Sequence, residues 1–328
     1  MTLSTLVLAL LAGSVAVGLS LLMGYAGQVS LGQASFYMIG AYTAALIATH
    51  SLPTWLGLLA APAAAAVAAA LLAVPLLRLR GHQLAFATLA VQLILLNLAG
   101  QQDWTGGDIG LQAIPLLTIG GYEFTGDGPY ACLALTALII VVLTSRNIIA
   151  SRPGRGLRAL ATSEVAAASS GVPVAAYKAA VFSLSAAFAG LAGGIYAFYI
   201  GYVSPSSFPI LLSIEYIVMV AVGGTGSIWG AIAGAAAVTV LLQMLNDLGA
   251  REGMPATAPT VLSYGLFGTL LITSMLFAPR GLVPTALGLW KRRANDADPP
   301  PPTPEQTPEK ESSTQSGTTD GRHRERRL

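Results

Sequence analysis

The sequence predicts an all-α, polytopic transmembrane helical bundle. Of its 328 residues, 54% are hydrophobic and only 10% are charged, whereas soluble domains carry about 25% charged residues. From Lys291 onward the chain holds 15 of its 32 Lys, Arg, Asp and Glu residues, so the rest is more apolar still. The apolar segments lack the period-2 alternation of a β-barrel, and only helices otherwise satisfy the backbone in lipid.

Nine apolar segments approach the roughly 20 residues that cross a hydrocarbon core. The first has no Lys or Arg before it, so it lacks the basic region of a secretory signal and is interpreted as a retained helix. The segment 210–222 is short enough to form only part of a crossing. The predicted spans are 3–23, 30–49, 55–77, 82–99, 129–145, 177–200, 210–222, 231–248 and 260–278.

Charges between the spans predict their orientation. The links 78–81 and 146–176 carry arginines, which favour the cytoplasm, whereas the loop 100–128 carries four acidic residues and no Lys or Arg. Nine spans with the amino terminus outside and the carboxyl terminus inside satisfy all of these signs. Residues 1–290 are therefore the predicted transmembrane domain. The proline-rich, polar segment 291–328 is predicted to be a disordered cytoplasmic tail.

The composition argues against an enzyme. None of the three lysines follows a glycine, so the phosphate-binding GxxxxGK loop is absent, and the three histidines have no metal-site spacing. A single cysteine, Cys132, allows no intrachain disulfide. We expect no catalytic residue, metal or cofactor, and the net charge of +2 does not indicate nucleic acid.

Two glycine-rich, polar stretches interrupt the apolar pattern: GYAGQVSLGQASF at 24–36 and GGTGS at 223–227. Broken helices near the membrane midplane are tolerated where they are buried in protein or line a watery cavity, and they often mark a substrate passage. A plain interfacial turn explains the first stretch equally well. With Glu215, the candidate substrate-pathway residues are Gly24, Tyr25, Gly27, Gln28, Ser30, Gly32, Gln33, Gly223 and Gly224.

Glu215 is an ionisable residue inside an apolar segment, where a charge is costly. It could pair with Lys178 or a neighbouring backbone group, or it could contact a substrate. By contrast, the GxxxG spacings of Gly190 and Gly194, and of Gly226, Gly230 and Gly234, favour close helix packing.

The link at 151–178 is longer than a simple turn requires. Its middle predicts one short helix with Leu157, Leu160 and Ala161 on one side, which ends near Gly171. The link could be a positive-inside anchor or a docking helix for a soluble partner.

Six blocks, in this order, resemble the Liv-type permeases of branched-chain amino acid ABC importers. They are GYAGQVSLGQASFYMIGAYTAAL, RLRGHQLAFATLA, TGGDIGL, RPGRGLRALATSEVAAASSGVPVAAYKAAVFSLSAAFAGLAGGIYA, VSPSSFPILLSIEYIVMVAVGGTGSIWGAIAGA and FAPRGL. The resemblance implies a permease domain in a bacterial inner membrane and a heterodimer with a second homologous permease. It also implies two ATP-binding cassette ATPase subunits and an extracytoplasmic substrate-binding protein. Related chains carry one more hydrophobic segment before the first block, so a truncated start would imply ten spans.

In ABC permeases a loop with an EAA-type pattern followed by glycine docks the ATPase. Glu164, Ala166, Ala167 and Gly171 resemble that pattern, although Val165 separates the glutamate from the alanines. The ATPase-docking candidates are Arg155, Gly156, Arg158, Glu164, Ala167 and Gly171.

The resemblance implies branched-chain amino acids as the cargo. Permeases of this type also serve urea, short amides and other small solutes, which remain alternatives. An ion-driven secondary transporter would need an intramembrane carboxylate, for which Glu215 is the candidate. An intramembrane enzyme is the least supported class, because no acid and base pair is visible.

Overall fold

The structure, a computed structural model, describes residues 2–249 except 51, 77, 78 and 80, together with 265, 268 and 269. The predicted last span at 260–278 and the predicted tail at 291–328 lie outside these residues, apart from the three isolated positions. The described α-helices are α1 Leu3–Tyr25, α2 Gln33–Thr49, α3 Thr54–Leu76, α4 His82–Gln101, α5 Asp127–Ala150, α6 Arg152–Thr162, α7 Glu164–Ser169, α8 Val174–Ile200, α9 Ile210–Gly223 and α10 Ile228–Gly249.

The predicted helical bundle is confirmed in the described part of the chain. Seven of its helical segments are long and apolar enough to cross a bilayer: Leu3–Tyr25, Thr54–Leu76, His82–Gln101, Asp127–Ala150, Val174–Ile200, Pro205–Gly223 and Ile228–Asn246. Helix α2 has only 17 residues, because the start of the predicted span at 30–49 is not helical. The count of nine spans stays a prediction.

The loop between α4 and α5 departs from a purely helical fold. It contains a 3₁₀ turn at Asp103–Thr105 and a small antiparallel hairpin of β1 Thr118–Ile119 and β2 Tyr122–Glu123. Gly120 and Gly121 turn the hairpin with φ values of 60° and 86°, which glycine adopts at little cost.

The acidic and basic loops lie at opposite ends of the bundle. Leu111 of the acidic loop exchanges backbone hydrogen bonds of 2.8 and 3.0 Å with Val203, which follows α8. The basic loop instead follows the other end of α5, a helix of 24 residues that is about 36 Å long. This separation is the one predicted for the loops at 100–128 and 146–176.

Small residues let α2, α3 and α8 approach closely. A Cβ on Gly40 would overlap the backbone of Gly190, and a Cβ on Gly194 would lie 2.8 Å from the Cβ of Ala61. In the second GxxxG set, which is Gly226, Gly230 and Gly234, Gly234 lies against the carbonyl of Met219 in α9. Close helix packing is therefore confirmed for both GxxxG sets, since van der Waals contact holds membrane helices together.

Replacing Gly40 by alanine should destabilise this packing. The new Cβ would overlap the Gly190 backbone, and overpacking costs about 1–3 kcal/mol. The control is Gly13→Ala, because a Cβ there would lie 3.6 Å from Leu138 Cδ1, an ordinary contact. In a helix interior, alanine is more stable than glycine by about 1 kcal/mol. Thermal unfolding in detergent should give a lower midpoint for Gly40→Ala and an unchanged or higher one for Gly13→Ala.

Candidate functional site

The first polar stretch is a break between two helices. Helix α1 ends at Tyr25 and α2 begins at Gln33. Gly27 adopts a left-handed φ of 62°, and the backbone N–H of Gln28 turns back to donate to the carbonyl of Leu22 at 3.2 Å. Gln28 is only 4% exposed, and its Oε1 has no hydrogen-bond partner in the described part of the chain.

Hydrogen bonds from three other helices hold the start of α2. Gln33 Nε2 donates to the backbone oxygen and the hydroxyl of Ser185 in α8 at 3.1 and 2.9 Å. Ser213 in α9 accepts from the Ala34 N–H at 2.9 Å and donates to Gln92 Oε1 of α4 at 2.7 Å. Ser185 lies eleven residues into α8, or about 16 Å. Helix α2 therefore starts roughly level with the middle of α8.

Helix α4 holds the residues that lead into α2. The backbone N–H of Leu31 donates to Thr88 Oγ1 at 3.0 Å. Gly32 is necessary here, since a Cβ would lie 2.7 Å from the Thr88 carbonyl oxygen. Ser30 Oγ accepts from the Gly32 N–H at 3.4 Å. Gln28, Ser30 and Gly32 are thus buried in protein, one of the two settings in which a broken backbone is tolerated at membrane depth, whereas Gly27 and Val29 are exposed.

The second break packs directly on the first. Gly224 and Gly226 adopt φ values of 110° and 79° between α9 and α10. A Cβ on Gly24 would overlap the backbone of Gly226. Ser20 accepts a hydrogen bond from the Gly226 N–H at 3.0 Å and donates to the Ser227 carbonyl at 3.5 Å. We call this contact between the two stretches the joined breaks.

The basic loop lies beside the joined breaks. Arg146 and Arg158 line an open groove of about 490 Å³ together with Tyr25, Gly226 and Trp229. The groove therefore brings side chains of α5 and α6 next to residues of both breaks. A movement of α6 would therefore change the groove that α6 shares with the joined breaks.

A cavity of about 230 Å³ lies between the helices nearer the opposite end of the bundle. Its wall is mainly apolar, and we call it the polar cavity because it contains Glu215 and other polar side chains. Helix α1 lines it with Leu8 and Ala12. Ala12 lies twelve residues before Gly24, a distance of about 18 Å along the helix. Its other lining residues come mainly from α2, α8, α9 and α10: Tyr37, Tyr196, Leu212, Glu215, Tyr216, Met219, Thr239, Leu242, Gln243 and Asn246.

Glu215 faces this cavity without a hydrogen bond or ion pair to any described residue. The suggested pairing with Lys178 is wrong, because Lys178 Nζ forms an ion pair with Glu164 Oε1 at 2.8 Å. Lys178 is in the first turns of α8, at the basic end of the bundle, whereas Glu215 begins the second turn of α9 at the other end. The partly buried carboxylate is therefore available to something inside the cavity.

The docking region is two helices rather than the single helix predicted. Ser163 is extended (φ −159°, ψ 120°), and its side chain caps α7 by accepting from the Ala166 N–H at 3.3 Å. Leu157 and Leu160 are buried as expected, but Ala161 is exposed. A serine competes for backbone hydrogen bonds and so favours a cap over a helix interior, which divides the predicted helix into α6 and α7.

The structure distributes the candidate pathway residues over three places. Gly24, Tyr25, Gly223 and Gly224 lie at or next to the joined breaks, whereas Glu215 lines the polar cavity. The rest of the first break packs between helices: Gln28, Ser30, Gly32 and Gln33, with Gly27 at its turn.

The docking candidates share the surface of the basic end. Arg155, Arg158, Glu164 and Gly171 are exposed, and Ala167 is buried. Gly156 lies under Tyr177, and a Cβ on Gly156 would lie only 2.7 Å from that ring.

Sequence reasoning did not single out Val165 or the residues that surround Glu215. Val165 is 80% exposed, and its insertion in the EAA-type pattern was the only signal. Tyr216 and Thr239 line the cavity with Glu215. Tyr216 adjoins Glu215 in sequence, but nothing in the sequence connects Thr239 to it.

The comparisons with known proteins decide the family. Residues 1–275 match the family model described as branched-chain amino acid transport system / permease component. The chain belongs to this family of permeases. It is 32% identical over 308 residues to the high-affinity branched-chain amino acid transport system permease protein LivM of Salmonella typhimurium strain LT2, covering 85% of this chain and 69% of that protein.

A second relative is the LivM protein of Escherichia coli strain K12, described in the same words. This permease is 33% identical to it over 295 residues, covering 81% of this chain and 66% of that protein. The chain thus spans about two thirds of the length of these relatives. No solved structure matches it. The Liv-type resemblance is confirmed, and the chain is a multi-pass membrane protein.

Proposed function

We propose that this chain is the permease subunit of an ABC importer for branched-chain amino acids in a bacterial inner membrane. One observation carries the proposal: the arginines of the coupling loop line the same groove as the joined breaks. A soluble ATPase that moved α6 could therefore change the packing of both breaks. The chain has no GxxxxGK motif of its own, so the hydrolysis belongs to another subunit.

In this proposal the described conformation is closed at the cytoplasmic end. The polar cavity lies toward the acidic loop, where an extracytoplasmic binding protein would deliver the cargo, and the joined breaks lie toward the basic loop. Transport requires that the breaks separate. Nucleotide can drive this change only by favouring one packing of the helices over the other.

The proposed assembly contains a second homologous permease, two ATPase subunits and the binding protein, with the carboxyl terminus of this chain in the cytoplasm. Residues 1–290 would form the permease domain and residues 291–328 a disordered tail. An ion-driven secondary transporter is the second candidate, favoured by Glu215, which has no ion pair with a described residue. Omission of the ATPase subunits from liposomes distinguishes the two candidates, because only the secondary transporter would still accumulate its solute.

Val165 is the proposed anchor for the ATPase. It projects from α7 at the basic end and is 80% exposed, outside the helices that are long enough to span the membrane. Burying a valine contributes about 1.5–3 kcal/mol, or on the order of tenfold to a hundredfold in affinity. The ion pair of Glu164 with Lys178 at 2.8 Å fixes α7 against α8 beside it.

Val165→Asp should weaken copurification with the ATPase at least about tenfold, because it removes an apolar contact and adds a charge. The assay is affinity purification of the permease, followed by quantification of bound ATPase. Ile109→Asp is the matched control: it makes the same kind of change at a side chain that is 69% exposed at the opposite end. Equal ATPase recovery from Val165→Asp and the wild type would reject the anchor.

A further inference from the structure

We propose that the polar cavity binds the ammonium group of a zwitterionic cargo, with Glu215 as its counter-charge. This inference rests on the proposed function and specifies the chemical class of its substrate. The first step is charge. Glu215 has no ion pair or hydrogen bond with any described residue, and none of the described residues that line the cavity is Lys, Arg or His. An ionised carboxylate in such a place is costly without a cation.

The second step is an unused hydroxyl on a second helix that lines the cavity. Thr239 Oγ1 is buried and has no hydrogen-bond partner in the described part of the chain. It lines the same cavity as Glu215 but comes from α10 rather than α9. Buried polar atoms are nearly always hydrogen-bonded. An ammonium has three N–H donors and no acceptor, so oxygen atoms from two helices that line one cavity suit it.

The third step is the aromatic wall. Tyr37, Tyr196 and Tyr216 all line the cavity, with ring centroids 5.5 Å apart for Tyr37 and Tyr196 and 6.2 Å apart for Tyr37 and Tyr216. Aromatic rings grouped beside a carboxylate attract organic cations through the negative face of the ring. A neutral solute such as urea or a short amide could donate a hydrogen bond to the carboxylate, but it carries no positive charge to neutralise it or to bind the ring faces.

The size of the cavity sets the scale of the cargo. Sites for drug-sized ligands measure about 300–1,000 Å³, whereas this cavity measures about 230 Å³. It therefore suits a small solute such as one amino acid. Leu8, Leu212, Met219 and Leu242 supply an apolar part of its wall, against which an aliphatic side chain can pack.

The test uses the full-length permease, purified with its partner subunits, and measures thermal stabilisation by added solutes. This readout does not depend on the binding protein that selects the cargo. The solutes are leucine, 3-methylbutylamine (leucine without its carboxylate) and 4-methylpentanoate (leucine without its amino group). We expect stabilisation by leucine and by the amine but not by the acid.

Glu215→Gln should raise the leucine concentration needed for half-maximal stabilisation by roughly tenfold or more, because it removes the charged acceptor. Glu215→Asp keeps the charge and should respond to leucine more like the wild type. Glu123→Gln, an exposed carboxylate in the external hairpin, is the control and should not change the response. Replacing Na⁺ by K⁺ should have no effect.

Three results would overturn the inference: stabilisation by 4-methylpentanoate as strong as by leucine, an unchanged leucine response in Glu215→Gln, or stabilisation by Na⁺ alone. If Glu215→Gln does not fold, the solute series on the wild type still decides. ATP-driven uptake with no requirement for an ammonium would reject this inference alone. Failure of the chain to associate with any ATPase would reject the proposed function instead.

Discussion

Gly24→Val is expected to reduce ATP-driven uptake on the order of 100-fold. Even a Cβ at this position would overlap the backbone of Gly226, so the joined breaks could not close. Overpacking of a well-packed contact costs about 1–3 kcal/mol, and 3 kcal/mol changes the ratio of two packings by roughly 100-fold. The bias would act against the closed packing, which an importer must revisit in every cycle.

The measurement is uptake of labelled leucine into liposomes that contain the complete importer, together with the yield of each purified variant. Gly13→Ala, on the same helix, is the control, because a Cβ there makes only an ordinary contact with Leu138 at 3.6 Å.

A deletion of the Ser20 hydroxyl provides a second, milder test. Ser20→Ala removes the acceptor of the Gly226 N–H and should lower uptake in the same direction but by less. Wild-type uptake in Gly24→Val would contradict the role of the joined breaks.

The helices of this bundle could be predicted because the signal that forms them is local. Apolar runs of about 20 residues and the breaks at 24–36 and 223–227 are both visible in the sequence, and the described helices follow them within a few residues. Among these described helices, only α2 begins later than predicted. It begins three residues after the predicted start, because Ser30, Gly32 and Thr88 hold the chain in a non-helical path.

Contacts between distant parts of the chain could not be predicted. Nothing local indicates that Gly24 meets Gly226, since glycine at a helix end equally suits a simple turn. The same limit applies to Lys178, whose pairing with Glu164 depends on how α7 folds back on α8. The prediction of a single helix in the docking region was wrong for a local reason: Ser163 ends α6 and caps α7, whereas the sequence was interpreted as one continuous helix.

Leu157→Glu is expected to detach α6 from the bundle and to uncouple ATP hydrolysis from transport. Leu157 is 3% exposed and lies in the groove formed with Tyr177 and Val181 of α8. Burying an unpaired charge costs several kcal/mol, which is more than the few apolar contacts of an eleven-residue helix can offset. Amide hydrogen exchange of 152–162 should accelerate on the order of 100-fold, because a helix this short is marginal without tertiary packing.

Ala161→Glu is the control, and it distinguishes the exposure seen in the structure from the burial that the sequence periodicity predicts. Ala161→Glu introduces the same charge one turn later in α6, at a residue that is exposed in the structure but that the periodicity assigns to the buried side. We expect wild-type exchange protection and coupled transport from Ala161→Glu. Because Leu157→Glu leaves Val165 and the cap of α7 intact, some ATPase should still bind. Hydrolysis would then continue while uptake falls, which is the result expected if α6 carries movement from the ATPase to the joined breaks. Uptake as tightly coupled to hydrolysis in Leu157→Glu as in Ala161→Glu would instead place α6 outside the coupling path.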